Sequence, residues 1–150
     1  VALIGENKFA QDNIVVIFNF PENIDKVHCD KSHLQQILFN VIANAYHAIQ
    51  KNGVITITTK VHDNDFICVE INDDGCGIWE DELDKIWEPF FTTKPKKPAP
   101  ENKFTGTGLG LALVKRYVEH SGGWVNVTSE VGEGTTFSLY FERVTPTGKK

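Results

Sequence analysis

The chain has 150 residues, a formal net charge of -5, and ordinary shares of apolar (41%) and charged (23%) residues. That suits one soluble globular domain with a substantial core. The acidic balance argues against nucleic acid as the main partner, and no apolar run reaches membrane-spanning length or reads as a signal peptide. Cys29, Cys68 and Cys76 are odd in number and lack a CxxC pair, so they read as buried fillers in a reducing cytoplasm rather than zinc ligands or a disulfide framework. With Val1 as its first residue, the chain reads as a piece of something longer.

Residues 1–13 show no regular pattern and are expected to be the end of a linker. Residues 14–20, Ile-Val-Val-Ile-Phe-Asn-Phe, are β-branched and aromatic and stop at Pro21, which predicts a strand. Val27 to Cys29 suits a second short extended piece. Asp30 or Ser32 can cap the helix that follows, which is expected to run to Lys51 and end at Asn52-Gly53. Leu34, Ile37, Leu38, Val41, Ile42, Ala45, Ala48 and Ile49 repeat at helical spacing and predict a broad buried face. Asn40, Asn44 and His47, four and three residues apart, stack beside it. Asparagine competes for the backbone in mid-helix. Two of them one turn apart suit either a solvated edge or a polar site.

The segment from Val54 to Val61 alternates, as does that from Phe66 to Asn72, with His62-Asp63-Asn64-Asp65 as the turn. Continuing the alternation of Ile67, Val69 and Ile71 puts Asp73 on the buried face. A carboxylate there is costly unless something donates to it. Asp74-Gly75-Cys76-Gly77-Ile78 is then either a plain turn or a loop whose glycines let a ligand lie against the backbone while Asp73 accepts from its amine.

Trp79 to Trp87 predicts a short acidic helix leading to Pro89-Phe90-Phe91-Thr92-Thr93-Lys94. Residues 95–105 carry three prolines and three lysines, the composition of a surface loop or of a mobile lid. Gly106-Thr107-Gly108-Leu109-Gly110-Leu111 runs into an apolar helix with a face of Leu109, Ala112, Leu113, Tyr117 and Val118, ending at Ser121-Gly122-Gly123. Glycines at a helix N-terminus suit phosphate, because free N–H groups and the helix dipole point outward. Val125 and Val127 alternate in a strand, Glu130 to Gly134 turns, and Thr135, Phe137, Leu139 and Phe141 share a face of the last strand.

Five of these segments, in order, resemble the motifs of sensor histidine kinases. Residues 38–45 are similar to the asparagine box, 73–78 to the first glycine box, 89–94 to the phenylalanine box, 106–111 to the second glycine box, and 132–137 to the closing glycine-threonine strand. The resemblance covers residues 14–143 and implies the catalytic, ATP-binding domain of a two-component kinase. Its fold is an α/β two-layer sandwich: a mixed, mostly antiparallel sheet of five strands with helices on one face. Residues 92–107 would be the ATP lid and 144–150 a disordered tail.

The resemblance also implies roles. Asp73 would accept from the adenine amino group and Thr135 would support the ring, with Gly75, Gly77 and Ile78 beside it. Asn44 would be a magnesium ligand, and Asn40 would hold a water or metal shell one turn earlier. His47 occupies a position where the family often has a basic residue reaching the phosphates, so its contribution depends on protonation. Lys94 and the run Gly106, Thr107, Gly108, Leu109, Gly110 and Leu111 would face the phosphates of ATP, with ADP as product. Hydrolytic relatives carry a glutamate where this chain has Asn40, and an amide cannot take a proton. None of the five histidines lies in an acceptor motif. The acceptor is therefore expected on a dimerisation domain of the same protein, with a response regulator downstream. Localisation is expected to be cytoplasmic, with no direct membrane contact even if the parent is anchored. The domain alone is expected to be monomeric and the parent homodimeric.

Other readings stay open: a non-catalytic nucleotide-sensing scaffold, or a weak ATPase of the same superfamily. A dinucleotide fold fits less well, since the spacing is GxGxG rather than GxGxxG. If residues 95–105 form a lid, limited proteolysis should cut there without nucleotide and be suppressed by ATP with magnesium. An unchanged cleavage pattern would remove the lid.

Overall fold

The computed structural model describes residues 12–22, 25–91 and 110–144. Most of the expected linker, the whole expected lid and the tail after Val144 lie outside them. The elements in order are β1 (Ile14–Asn19), α1 (Lys31–Ile49), β2 (Gly53–His62), β3 (Phe66–Asp73), α2 (Gly110–His120), β4 (Trp124–Glu130) and β5 (Gly134–Glu142). The sheet order is β1-β2-β3-β5-β4. β1 is parallel to β2 because α1 carries the chain back across the sheet; the other pairs are antiparallel. This is the expected mixed, mostly antiparallel five-strand sheet.

The strand register turns sequence alternation into rows across the helix-covered face. Ile57, Ile71, Phe137 and Val127 form one row, and Thr59, Val69, Leu139 and Val125 the next. Phe137, Leu139, Phe141 and Ile71 are fully buried there, against Ile37, Val41 and Ala45 of α1 and Val114 and Val118 of α2. The row at the end of the sheet is different: Ile55, Asp73, Thr135 and Ser129. Three of its four members are polar, and it marks where the fold stops being only a core.

Asp30 caps α1, its carboxylate accepting from the Ser32 N–H at 2.9 Å. The helix ends at Ile49, two residues before Lys51, because Gln50 takes a left-handed φ of 70°. Tyr46, absent from the expected apolar face, is buried and donates its hydroxyl to Asp12. In α2 the expected face also shifts. Val114 and Val118, one turn apart, are the buried pair, while Ala112 and Leu113 are half-buried and Leu109 lies outside the described residues. Trp79 to Trp87 is not a regular helix but a 3-10 turn at Glu80–Glu82 followed by further turns. Its bonds mix i to i+3 with one i to i+4, from the Ile86 N–H to the Glu82 carbonyl; Ile86 is buried in the core and Trp87 lies edge-on to Phe137, with ring centroids 5.7 Å apart. Cys68 is buried as expected, Cys29 is half-buried, and Cys76 is exposed. Among the described residues, no helix is long and apolar enough to cross a membrane.

Phe137 is central to the core. Phe137→Ala should cost about 3–5 kcal/mol of unfolding free energy, read as a lower urea midpoint.

Candidate functional site

Asp73 ends β3 with only 2% of its surface exposed. Its carboxylate accepts from the Gly75 N–H at 2.8 Å. Burial pushes its pKa up to about 6; the Gly75 N–H pulls it down, the neighbouring Asp74 raises it, and the Thr135 backbone N–H lowers it. Desolvation wins, so the fold holds a carboxylate whose ionised form it does not fully satisfy.

The glycine loop is bolted down on two sides. The Cys76 N–H donates to the carbonyl of Ala48 in α1 at 3.1 Å, and the Cys76 carbonyl accepts from the Gly132 N–H at 2.9 Å. Asp74 turns away from the pocket row and accepts from the Val54 N–H at 2.9 Å. A Cβ on Gly75 would lie 2.6 Å from the Ala48 backbone, and one on Gly77 would overlap the Glu130 carbonyl. Both glycines are therefore required first by the packing of the loop against α1 and the β4–β5 turn. That reason differs from the expected one, in which their missing side chains make room for a ligand. Gly77 also has a φ of 82°, which excludes most other residues.

Asn40, Asn44 and His47 form a half-buried stripe along α1 that ends one residue before Ala48, at the loop. Asn40 Nδ2 donates to the Gly110 carbonyl at the start of α2, at 3.4 Å, and Gln36 Nε2 donates to Asn40 Oδ1 at 3.2 Å. The stripe thus spans from the first residue of α2 to the glycine loop. Asn44 offers a hard amide oxygen midway. That donor chemistry fits a magnesium ion, which keeps water and phosphate oxygens for its remaining positions. Among the described residues there is no cluster of three or more His, Cys, Asp or Glu that could hold a metal by itself.

The structure therefore brings Asp73, Gly75, Gly77, Ile78 and Thr135 to one end of the sheet, with Asn40, Asn44 and His47 on the adjoining helix and Gly110 and Leu111 opening α2. Lys94, Gly106, Thr107, Gly108 and Leu109 lie outside the described residues. Sequence reasoning missed Ser129. Its hydroxyl accepts from the Ile78 N–H at 2.8 Å, donates to the Gly134 carbonyl at 3.0 Å and lies 2.8 Å from Thr135 Oγ1. The signal was present: Ser129 continues the half-buried alternation of Val125 and Val127, as Asp73 continues the alternation of its own strand.

Residues 29–145 match the family described as histidine kinase-, DNA gyrase B-, and HSP90-like ATPase. The aerobic respiration control sensor protein ArcB of Escherichia coli is 41% identical over 141 residues, covering 92% of this chain and 17% of that protein. The chain spans 24% of the length of sensor histidine kinase ZraS of Salmonella typhi and 13% of that of sensor kinase CckA of Brucella abortus. The catalytic domain of histidine kinase ThkA superposes with a TM-score of 0.77 at 28% identity, covering 93% of this chain and 86% of that one. ThkA has also been solved in complex with response regulator protein TrrA, where the TM-score is 0.73 at 27% identity over 97% of this chain and 38% of that one. Full-length ShkA in complex with AMPPNP gives 0.77 at 26% identity, covering 93% of this chain and 28% of that one.

The raised Asp73 pKa has a sign that stability measurements can read. Between pH 3.8 and about 6 the folded state keeps a proton that the unfolded chain releases. Stability therefore falls as pH rises through that window and stays lower above it. Asp73→Asn removes the ionisable group, so without nucleotide it should be more stable than the parent at pH 8, by up to about 3 kcal/mol, and similar at pH 4. Urea unfolding of both proteins across that range checks it; a parent that gains on the variant as pH rises would contradict the assignment.

Proposed function

This chain belongs to the histidine kinase-, DNA gyrase B-, and HSP90-like ATPase family, and we propose that it binds Mg-ATP and donates the γ-phosphoryl group to a histidine on a separate dimerisation domain of the same protein. The observation that carries the reading is Asp73: a carboxylate 2% exposed, its pKa pushed up to about 6, at the closed end of a glycine loop. A base with an exocyclic amino group supplies the donor that such a carboxylate lacks. The AMPPNP held by ShkA supports a nucleotide on this fold.

In this reading the adenine edge meets Asp73, with Thr135 beside it and Ile78 packing from the loop. Asn44 of α1 would hold magnesium, whose charge offsets that of the β- and γ-phosphates. Asn40, Asn44 and His47 face the phosphate side of the base site along one helix, and Gly110 and Leu111 open the helix whose N-terminal N–H groups would meet the phosphates, together with Lys94. His47 contributes charge only when protonated. Asn40 is an amide and cannot activate water, so the γ-phosphoryl group is kept for an external acceptor. The response regulator bound to ThkA supports a phosphorelay partner downstream of that acceptor.

Asn44→Ala should weaken magnesium-dependent ATP binding by at least the roughly 10–100-fold typical of disturbing a metal site, with the far-ultraviolet circular dichroism unchanged. Equal affinity in variant and parent, by calorimetry, would remove the metal role. Given labelled ATP and a separately prepared histidine-bearing helical domain, label should appear on that domain and not on this chain.

A further inference from the structure

We propose that Ser129 is a positioning residue that fixes the direction of the Thr135 hydroxyl proton, so that the base site offers the nucleotide only hydrogen-bond acceptors from that side. The proposal deepens the nucleotide reading above and rests on it.

The argument is a count of hydrogens. A serine hydroxyl has one proton and two lone pairs. The Gly134 carbonyl can only accept, and it lies 3.0 Å from Ser129 Oγ in the geometry of a Ser129 donation, so the serine proton goes there. The Ile78 N–H can only donate, and at 2.8 Å it occupies one lone pair. What Ser129 has left for Thr135 Oγ1, 2.8 Å away, is its second lone pair. Thr135 must therefore donate its own proton to Ser129. With that proton spent, Thr135 Oγ1 keeps only lone pairs for any further partner. Thr135 is 3% exposed and is the register partner of Asp73 on the same face, so the two act on one site. Asp73, when ionised, is also acceptor-only.

Two adjacent acceptors favour a base edge that brings donors, or a water that donates to the protein. A 6-amino purine brings N–H groups to Asp73, and its N1 acceptor can share a water that donates both to it and to Thr135; a 6-keto purine keeps a donor at N1 but presents a carbonyl oxygen to the carboxylate and finds no hydroxyl proton to meet it. Ser129 achieves this without needing to touch the ligand. It also couples discrimination to the glycine loop, because the Ile78 N–H is one of the two groups that hold the serine in this state.

The test compares affinity for ATP with affinity for inosine triphosphate, which differs in the 6-keto group and the N1 proton. In Ser129→Ala the Thr135 hydroxyl is released and can donate toward a keto oxygen. The ATP-to-ITP affinity ratio should then fall about tenfold, the scale of one hydrogen bond. Ser129→Thr, which keeps a hydroxyl, should hold the parental ratio. Thr135→Val has no hydroxyl to release, so it should not show that fall, and adding Ser129→Ala to it should leave its ratio unchanged. A merely structural role would weaken both nucleotides alike, and an unchanged ratio in a folded Ser129→Ala overturns the proposal. If that variant does not fold, Ser129→Val, which continues the valines of β4, is read in its place, and an unchanged ratio there overturns the proposal. Should the unsubstituted chain fail to bind ATP, the nucleotide reading itself fails, which is a distinct result; equal binding of ATP and ITP leaves that reading standing and overturns the proposal.

Discussion

The constraint around which the rest is arranged is the desolvation of Asp73. A carboxylate 2% exposed at the edge of a core is met by the Gly75 and Thr135 N–H groups, and burial still outweighs both. A fold optimised only for stability would put an apolar residue in this row, as it does in the row beneath with Ile71 and Phe137. Proteins commonly accept such a local loss where a ligand must be met. The surroundings are rigid where that loss is carried. The glycine loop that follows Asp73 is tied to α1 through Ala48 and to the β4–β5 turn through Gly132.

Helix α1 does two jobs with one periodicity. Ile37, Val41 and Ala45 repeat every four residues and are fully buried, while Asn40 and Asn44 repeat every four residues one position before Val41 and Ala45. A rotation that exposed the asparagines further would pull the apolar stripe out of the core, so their placement is fixed by burial and not by their own bonds. The site inherits its precision from the core.

Legibility followed the same logic. Strands with one buried face announce themselves by alternation, and the rows through Phe137 and Leu139 were readable because every second residue is apolar. Asp73 was readable as a violation of that pattern. Ser129 is the same violation in β4 and was passed over, since a serine after two valines at a strand end reads as an ordinary edge. Other features were not local. Tyr46 is buried through its bond to Asp12, which is 34 residues away. The turns from Trp79 to Trp87 follow from where Ile86 and Trp87 must reach, against β5, and no helix-forming tendency overrides that. At Gly75 and Gly77 the fold supplies a packing reason for glycine that the motif alone does not reveal. The neighbours that exclude a Cβ are Ala48 and Glu130, which only the tertiary fold brings there.

Asn40 bears on which chemistry the site can perform. Its Nδ2 is directed at the Gly110 carbonyl, which can only accept, so its Oδ1 is the atom left for Gln36, and Gln36 must donate to it. Both ends of the amide are engaged, and neither state of an amide takes up a proton near neutral pH. A water molecule at this point of α1 could be held by such a group but not deprotonated by it. Hydrolysis would need another base; of the other half-buried groups of the stripe, Asn44 is an amide and His47, when neutral, is the one able to accept a proton. Transfer to an acceptor that brings its own nucleophile asks less of these residues: position the phosphate, offset its charge and keep water inactive. An amide at Asn40 and a single hard oxygen at Asn44 suit the proposed division of labour, in which this chain would hold and orient ATP and the nucleophile would arrive with a partner.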